Sequence, residues 1–158
     1  MAAMLQTSRL VAAVCAAMAV AAGVSGNGAP APAQDARTSV WDGVYTPSQA
    51  ERGLREYKDH CGYCHRDDLT GGGSEAGAPA LRGPIFTFRW IDQPVADLFI
   101  TIGTTMPQNK PDSLTPQTVI DIVSFLLREN DVPAGTLELP PDLEKLRAIF
   151  LTAKPPRP

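Results

Sequence analysis

The stretch Cys61-Gly62-Tyr63-Cys64-His65 decides how the rest of this chain is read. On a helical turn, side chains at i and i+3 point the same way, so both sulfurs reach one edge of a haem and form thioethers with its two vinyl groups. The residue at i+4 then lies under the iron, where an imidazole nitrogen can bind it. This spacing is the c-type haem attachment pattern. Other uses of paired cysteines compete with it. A thioredoxin-like dithiol belongs in a βαβ context, a structural zinc site needs a second pair of ligands, and a plain disulfide leaves His65 without a role.

Helical signals run outward from the motif on both sides. Upstream, Thr46-Pro47-Ser48-Gln49 reads as a capping box with proline in the first turn. It opens a helix to about His60 or just beyond, with Ala50, Gly53, Leu54, Tyr57 and Cys61 sharing one face. Downstream, a glycine-rich loop runs from Gly71 through Gly77 to Pro79. Ile85, Phe86, Phe88 and Trp90 then read as a candidate extended segment with no evident partner strand. Val95, Leu98, Phe99 and Ile102 predict a second helix from near Pro94 to Gly103. Val119, Ile122, Val123, Leu126 and Leu127 predict a third, from Thr115-Pro116 to about Glu129. Beyond Asn130 the chain turns polar and proline-rich, and Asp142 to Thr152, with Leu143, Leu146, Ile149 and Phe150 apolar, are expected to form a last short helix. No repeat is found and no sheet is predicted, so the expected class is all-α.

A chain of 158 residues with 44% apolar and 20% charged side chains is an ordinary globular mix of single-domain size, which excludes a multidomain enzyme. The net charge of −3 offers no basic stripe for phosphates and excludes nucleic acid as a partner. Residues 1–33 read as an export signal. Arg9 precedes a run of small or apolar residues from Leu10 to Val24, and Ala31-Pro32-Ala33 then precedes a cut before Gln34. Retention as a membrane anchor is the alternative, but this run is shorter than the roughly 20 residues that span a bilayer. A lipid on Cys15 is disfavoured by the bulky Val14 before it. Cleavage removes Cys15, Met1, Met4 and Met18, so the exported chain keeps Cys61, Cys64, His60, His65 and a single methionine, Met106.

That inventory narrows the second axial ligand. With His65 on one side of the iron, only Met106 and His60 remain as soft or imidazole donors. His60 precedes Cys61 on the same helix and cannot swing to the opposite face. Met106, in Gly103-Thr104-Thr105-Met106-Pro107, follows a helix in a polar loop and can reach. Core filling is its alternative use.

Taken together, the region from about Thr46 to Glu129 resembles a class I c-type cytochrome. Such a domain has an amino-terminal helix ending in C-x-x-C-H, a loop, a middle helix, a Met-Pro loop and a carboxy-terminal helix. The resemblance implies a cytochrome c fold of three to four helices wrapped around one covalently bound haem c. It implies that Gly53 and Tyr57 lie where the first and last helices cross, against Ile122 and Phe125. A glycine inside a helix costs about 1 kcal/mol, and close approach of another backbone explains it. It implies that the Pro79 carbonyl accepts the second ring N–H of His65, that Leu81 packs on the haem, and that Trp90 contacts it near a propionate. A plain core tryptophan is the equal alternative for Trp90. The dense lysine ring of the mitochondrial type is missing, since only Lys58, Lys110, Lys145 and Lys154 are present. Segments Val40 to Tyr45 and Pro133 to Leu139 resemble extensions of bacterial single-haem cytochromes that accompany pyrroloquinoline quinone dehydrogenases.

The expectation is therefore a non-enzymatic, periplasmic one-electron carrier with His65 and Met106 as iron ligands. Its donor and acceptor are redox proteins, a pyrroloquinoline quinone dehydrogenase and a terminal oxidase being the implied pair, with membrane attachment only if the signal is uncleaved. The expected divisions are signal 1–33, amino-terminal extension 34–45, cytochrome domain 46–131 and carboxy-terminal extension 132–158. The rival is a haem peroxidase or gas-binding sensor with an open sixth iron position, which requires Met106 to be off the iron. No distal His or Arg pattern serves that chemistry. Replacing both Cys61 and Cys64 with alanine should abolish covalent attachment. Acid-acetone extraction checks it: wild-type haem should stay with the protein, and the variant's haem should leave with the solvent.

Overall fold

The computed structural model of the chain describes residues 37–72 and 77–156. The expected signal segment, Cys15 and the start of the amino-terminal extension lie outside the described residues, as do part of the glycine-rich loop and the last two residues of the tail. In chain order the elements are strand β1 (Thr38–Ser39), a 3-10 turn (Val40–Asp42), then helices α1 (Pro47–His60), α2 (Gly62–His65), α3 (Gly83–Trp90), α4 (Val95–Thr105), α5 (Pro116–Glu129) and α6 (Leu143–Arg147), and strand β2 (Ile149–Phe150). Among the described residues no helix is long and apolar enough to cross a membrane.

The two long helices start where their caps predict. Thr46 accepts the Gln49 N–H at 3.2 Å and Thr115 accepts the Thr118 N–H at 3.1 Å, each followed by proline in the first turn. The capping box at Thr46 is only half made. The fully buried Gln49 side chain turns inward, where its Nε2 donates to the Leu139 carbonyl and its Oε1 accepts the Leu139 N–H, both at 2.8 Å. A buried amide gains two bonds this way, which outweighs one return bond at an exposed helix end.

Helices α1 and α5 cross at Gly53. A Cβ at this position would lie 1.8 Å from the Asp121 carbonyl oxygen and 2.8 Å from the Phe125 Cβ. The expected partner Phe125 is therefore met, while the backbone of Asp121, rather than Ile122, makes the tightest approach. One turn on, the Tyr57 and Phe125 rings lie with centroids 5.0 Å apart. Beside the crossing, the buried Asp121 carboxylate accepts from Arg52 Nε at 2.8 Å, Arg52 Nη2 at 3.0 Å and Gln117 Nε2 at 2.8 Å. Arg52 also donates twice to Glu138, at 2.9 Å each.

Three elements differ from the sequence expectation. The segment read as extended is the helix α3. Its buried residues are Phe86 and Trp90, an i, i+4 pair, whereas Ile85 and Phe88 are exposed, so the apolar run has helical and not alternating periodicity. Helix α4 runs past Gly103 to Thr105, its last turn tied by the Thr104 and Thr105 hydroxyls donating to the Ile100 and Thr101 carbonyls. The carboxy-terminal helix stops at Arg147, and β2 then pairs in parallel with β1, Thr38 opposite Ile149 and Ser39 opposite Phe150. The ladder closes because Leu151 exchanges backbone bonds with Asp92 and Gln93, and the Trp41 indole donates to the Thr152 carbonyl at 2.9 Å. Apart from this clasp and a single antiparallel bridge between Pro94 and Phe150, the regular structure of the described residues is helical, joined by loops.

Gly53→Val should destabilise the protein by at least about 1–3 kcal/mol, the range for overpacking, because the obstacle is backbone and cannot rotate away. A denaturant melt beside wild type reads the loss. An unchanged midpoint would remove the close crossing of α1 and α5.

Candidate functional site

The C-x-x-C-H residues sit at a break between two helices. Cys61 ends α1 with its N–H on the Tyr57 carbonyl, and its own carbonyl accepts the Cys64 N–H at 3.1 Å and the His65 N–H at 2.9 Å. That single turn, α2, puts the two thiols at i and i+3 and the imidazole at i+4. Both cysteines are free and half-buried. Burial, with Cys64 beside it, pushes the Cys61 thiol up to about 12. A half-buried thiol raised in this way is unlike the activated cysteine of a dithiol oxidoreductase, whose pKa is lowered. Among the described residues no three His, Cys, Asp or Glu side chains gather as a metal cage.

His65 is buried, 7% exposed, and its Nδ1 lies 2.8 Å from the Pro79 carbonyl oxygen. A carbonyl only accepts, so Nδ1 carries the proton and the lone pair is on Nε2, the tautomer an iron ligand requires. Several backbone bonds hold the loop that delivers Pro79. Gly71 N–H donates to the His65 carbonyl at 3.0 Å, Gly72 N–H to the Ala78 carbonyl at 2.8 Å, and Leu81 N–H to the Leu69 carbonyl at 2.9 Å. Gly71 has φ +76°, and a Cβ there would lie 2.5–2.6 Å from backbone atoms of Ala78, Pro79 and Ala80. Only glycine fits. Asn130 at the end of α5 fixes the far side of the loop, accepting from Gly83 N–H at 2.9 Å and donating to the Leu81 carbonyl at 3.0 Å.

The other expected residues lie as follows. Leu81 and Met106 are both half-buried and packed on the core, Met106 directly after α4 with its N–H on the Ile102 carbonyl. Trp90 is buried on the inner face of α3 under the Arg89 guanidinium at 4.7 Å, and it lines a cavity of about 290 Å³ with Trp41, Phe86 and Leu127. His60 is exposed and faces Glu56 at 3.4 Å on the outside of α1. Sequence reasoning missed two contributors. The Tyr57 hydroxyl, which burial keeps protonated, donates to the Arg66 carbonyl at 2.7 Å, and Arg66 itself has φ 64°. The glycine run was a signal for Gly71; nothing in the sequence marks an arginine as left-handed.

A family described as cytochrome C oxidase, cbb3-type, subunit III matches residues 48–126. The chain belongs to this family of class I c-type cytochrome domains. No curated protein and no solved structure matches it. As a cytochrome c domain it takes a covalent haem c on its Cys61-x-x-Cys64-His65 motif and transfers electrons without acting as an enzyme. The donor set of this structure fits that group: two unpaired thiols on one turn and a buried imidazole with its lone pair on Nε2. Cytochromes of the c type are extracytoplasmic and work between redox partners.

Proposed function

We propose that the protein is a periplasmic carrier of single electrons whose iron is held by His65 and Met106. The reading rests chiefly on the bond from His65 Nδ1 to the Pro79 carbonyl, which leaves Nε2 as the ligating atom and raises its basicity. Bound haem supplies the one-electron ferric and ferrous couple. The chain's part is to attach it through Cys61 and Cys64, to orient the imidazole, and to offer a soft sulfur that favours ferrous iron and raises the potential. Met106 stands at the end of α4, half-buried, as the one methionine left after removal of residues 1–33. In this reading Leu81 would pack on the ring and Trp90 would contact it near a propionate.

Residues 1–33 act as the export signal, 34–45 and 132–158 as extensions, and 46–131 as the haem-bearing domain. The donor is a pyrroloquinoline quinone dehydrogenase, supported by the likeness of the extensions to those of its companion cytochromes. The acceptor is a terminal oxidase, an assembly in keeping with the family's description.

Met106→Ala decides between the carrier and a peroxidase or gas sensor. No other methionine remains in the exported chain, so the sixth position should open to water. The variant should become high spin, lose the weak sulfur-to-iron band at the red end of the spectrum, bind cyanide or imidazole faster, and fall in potential. A wild type that already lacks the band and binds those ligands readily would make Met106 core filling and favour the open-site reading.

A further inference from the structure

The residue after His65 has a backbone that arginine rarely adopts. Arg66 has φ 64° and ψ 155°, a region occupied essentially by glycine. Three contacts hold it there. Its carbonyl accepts the Tyr57 hydroxyl at 2.7 Å and the Leu69 N–H at 3.1 Å, and its guanidinium donates to the Gly72 carbonyl at 3.2 Å. Tyr57 is fully buried, its ring against Phe125 on α5, so the helix pair fixes where that hydroxyl stands.

The bonds continue around to the imidazole. The Arg66 backbone sets the direction in which the chain leaves His65. Its turn allows Gly71 N–H to reach back to the His65 carbonyl, and Gly71 lies directly under the backbone of residues 78–80 that presents the Pro79 carbonyl to Nδ1. The path from the α1 and α5 pair to the imidazole is therefore a continuous run of hydrogen bonds and close backbone contacts, with two non-glycine residues at positive φ in it, Arg66 and Leu69 (φ 61°).

We propose that Tyr57 and Arg66 are positioning residues for His65: the Tyr57 hydroxyl holds the strained Arg66 backbone, and through the 66–72 loop this keeps the Pro79 carbonyl on the imidazole and tunes the potential of the iron. The inference rests on His65 being an iron ligand. If the hydroxyl is removed, Arg66 relaxes toward an ordinary backbone, the loop shifts and the bond to Pro79 loosens. The imidazole then becomes a poorer electron donor, ferrous iron is favoured and the midpoint potential rises.

The test uses holoprotein of the wild type, Tyr57→Phe, Arg66→Gly and the double variant. Two quantities are measured, the exchange rate of the His65 Nδ1 proton by NMR in the reduced state and the midpoint potential. Tyr57→Phe should speed exchange at least tenfold and raise the potential. Glycine adopts the Arg66 backbone without strain and keeps the carbonyl, so in the Arg66→Gly background the same Tyr57→Phe change should alter exchange less than twofold. A plain loss of one buried hydrogen bond would lower the melting temperature in both backgrounds without this rescue. Equal acceleration in both backgrounds, or a Tyr57→Phe protein that keeps wild-type exchange or potential, overturns the proposal. The ring-current shift of the His65 carbon protons in wild type reports ligation separately, so a failure of the ligand assignment is distinguishable from a failure of the positioning device.

Discussion

The Asp121 carbonyl oxygen of α5 stands where a side chain on residue 53 of α1 would begin, 1.8 Å from an added Cβ. The two longest helices therefore meet backbone to backbone, and what lies on either side of the contact is determined by it. Below, Tyr57 is clamped against Phe125. Beside it, Asp121 is drawn out of water and must be paired, and Arg52 and Gln117 do this. Burying a carboxylate is weak evidence for stability in itself, but once it is buried, losing its partner costs about 3–5 kcal/mol, toward the lower end here because Arg52 is 35% exposed. The crossing at one small residue thus constrains Tyr57 and Phe125 on one side and Asp121, Arg52 and Gln117 on the other.

This rigidity is what the haem motif needs. Its chemistry is carried by one helical turn, and a single turn has no stability of its own, since nucleating a helix fixes several residues for one hydrogen bond. Here α2 borrows order from both ends. Cys61 is the last link of α1, held to the Tyr57 carbonyl, and the peptide after His65 is held by the Tyr57 hydroxyl. One residue, fixed by the helix crossing, brackets the motif with its backbone on one side and its side chain on the other.

Much of this was legible in sequence wherever the cause is local. Thr46-Pro47 and Thr115-Pro116 mark two helix starts because capping is a matter of three or four residues. The C-x-x-C-H spacing likewise carries its own geometry. What was not legible depends on partners far along the chain. Gln49 has the right place for a capping box, yet its amide is claimed by Leu139, ninety positions away. Ile85, Phe86, Phe88 and Trp90 fit either period, and only packing of Phe86 and Trp90 together on the core selects the helix. The strand clasp has two residues on each side, too few to leave a pattern. At the site, the Gly71 approach follows from a glycine run, while Arg66 shows how a strained backbone is invisible when the residue is not glycine.

The carboxy-terminal extension follows from the same constraint. Tyr45 precedes α1, and its hydroxyl donates to the Val132 carbonyl at 2.7 Å while its carbonyl accepts the Gly135 N–H at 2.6 Å. Gly135 and Gly43 meet so closely that a Cβ on Gly135 would lie 1.8 Å from the Gly43 carbonyl oxygen. From there the extension runs along α1 to bond Arg52 through Glu138 and Gln49 through Leu139. Without these residues the Gln49 amide would lose both of its partners, and Arg52 would lose the second carboxylate that orients it on Asp121. The extension is thus bonded into the helix pair that frames the haem motif. The segment farthest in sequence from Cys61 contributes to the rigidity on which His65 depends.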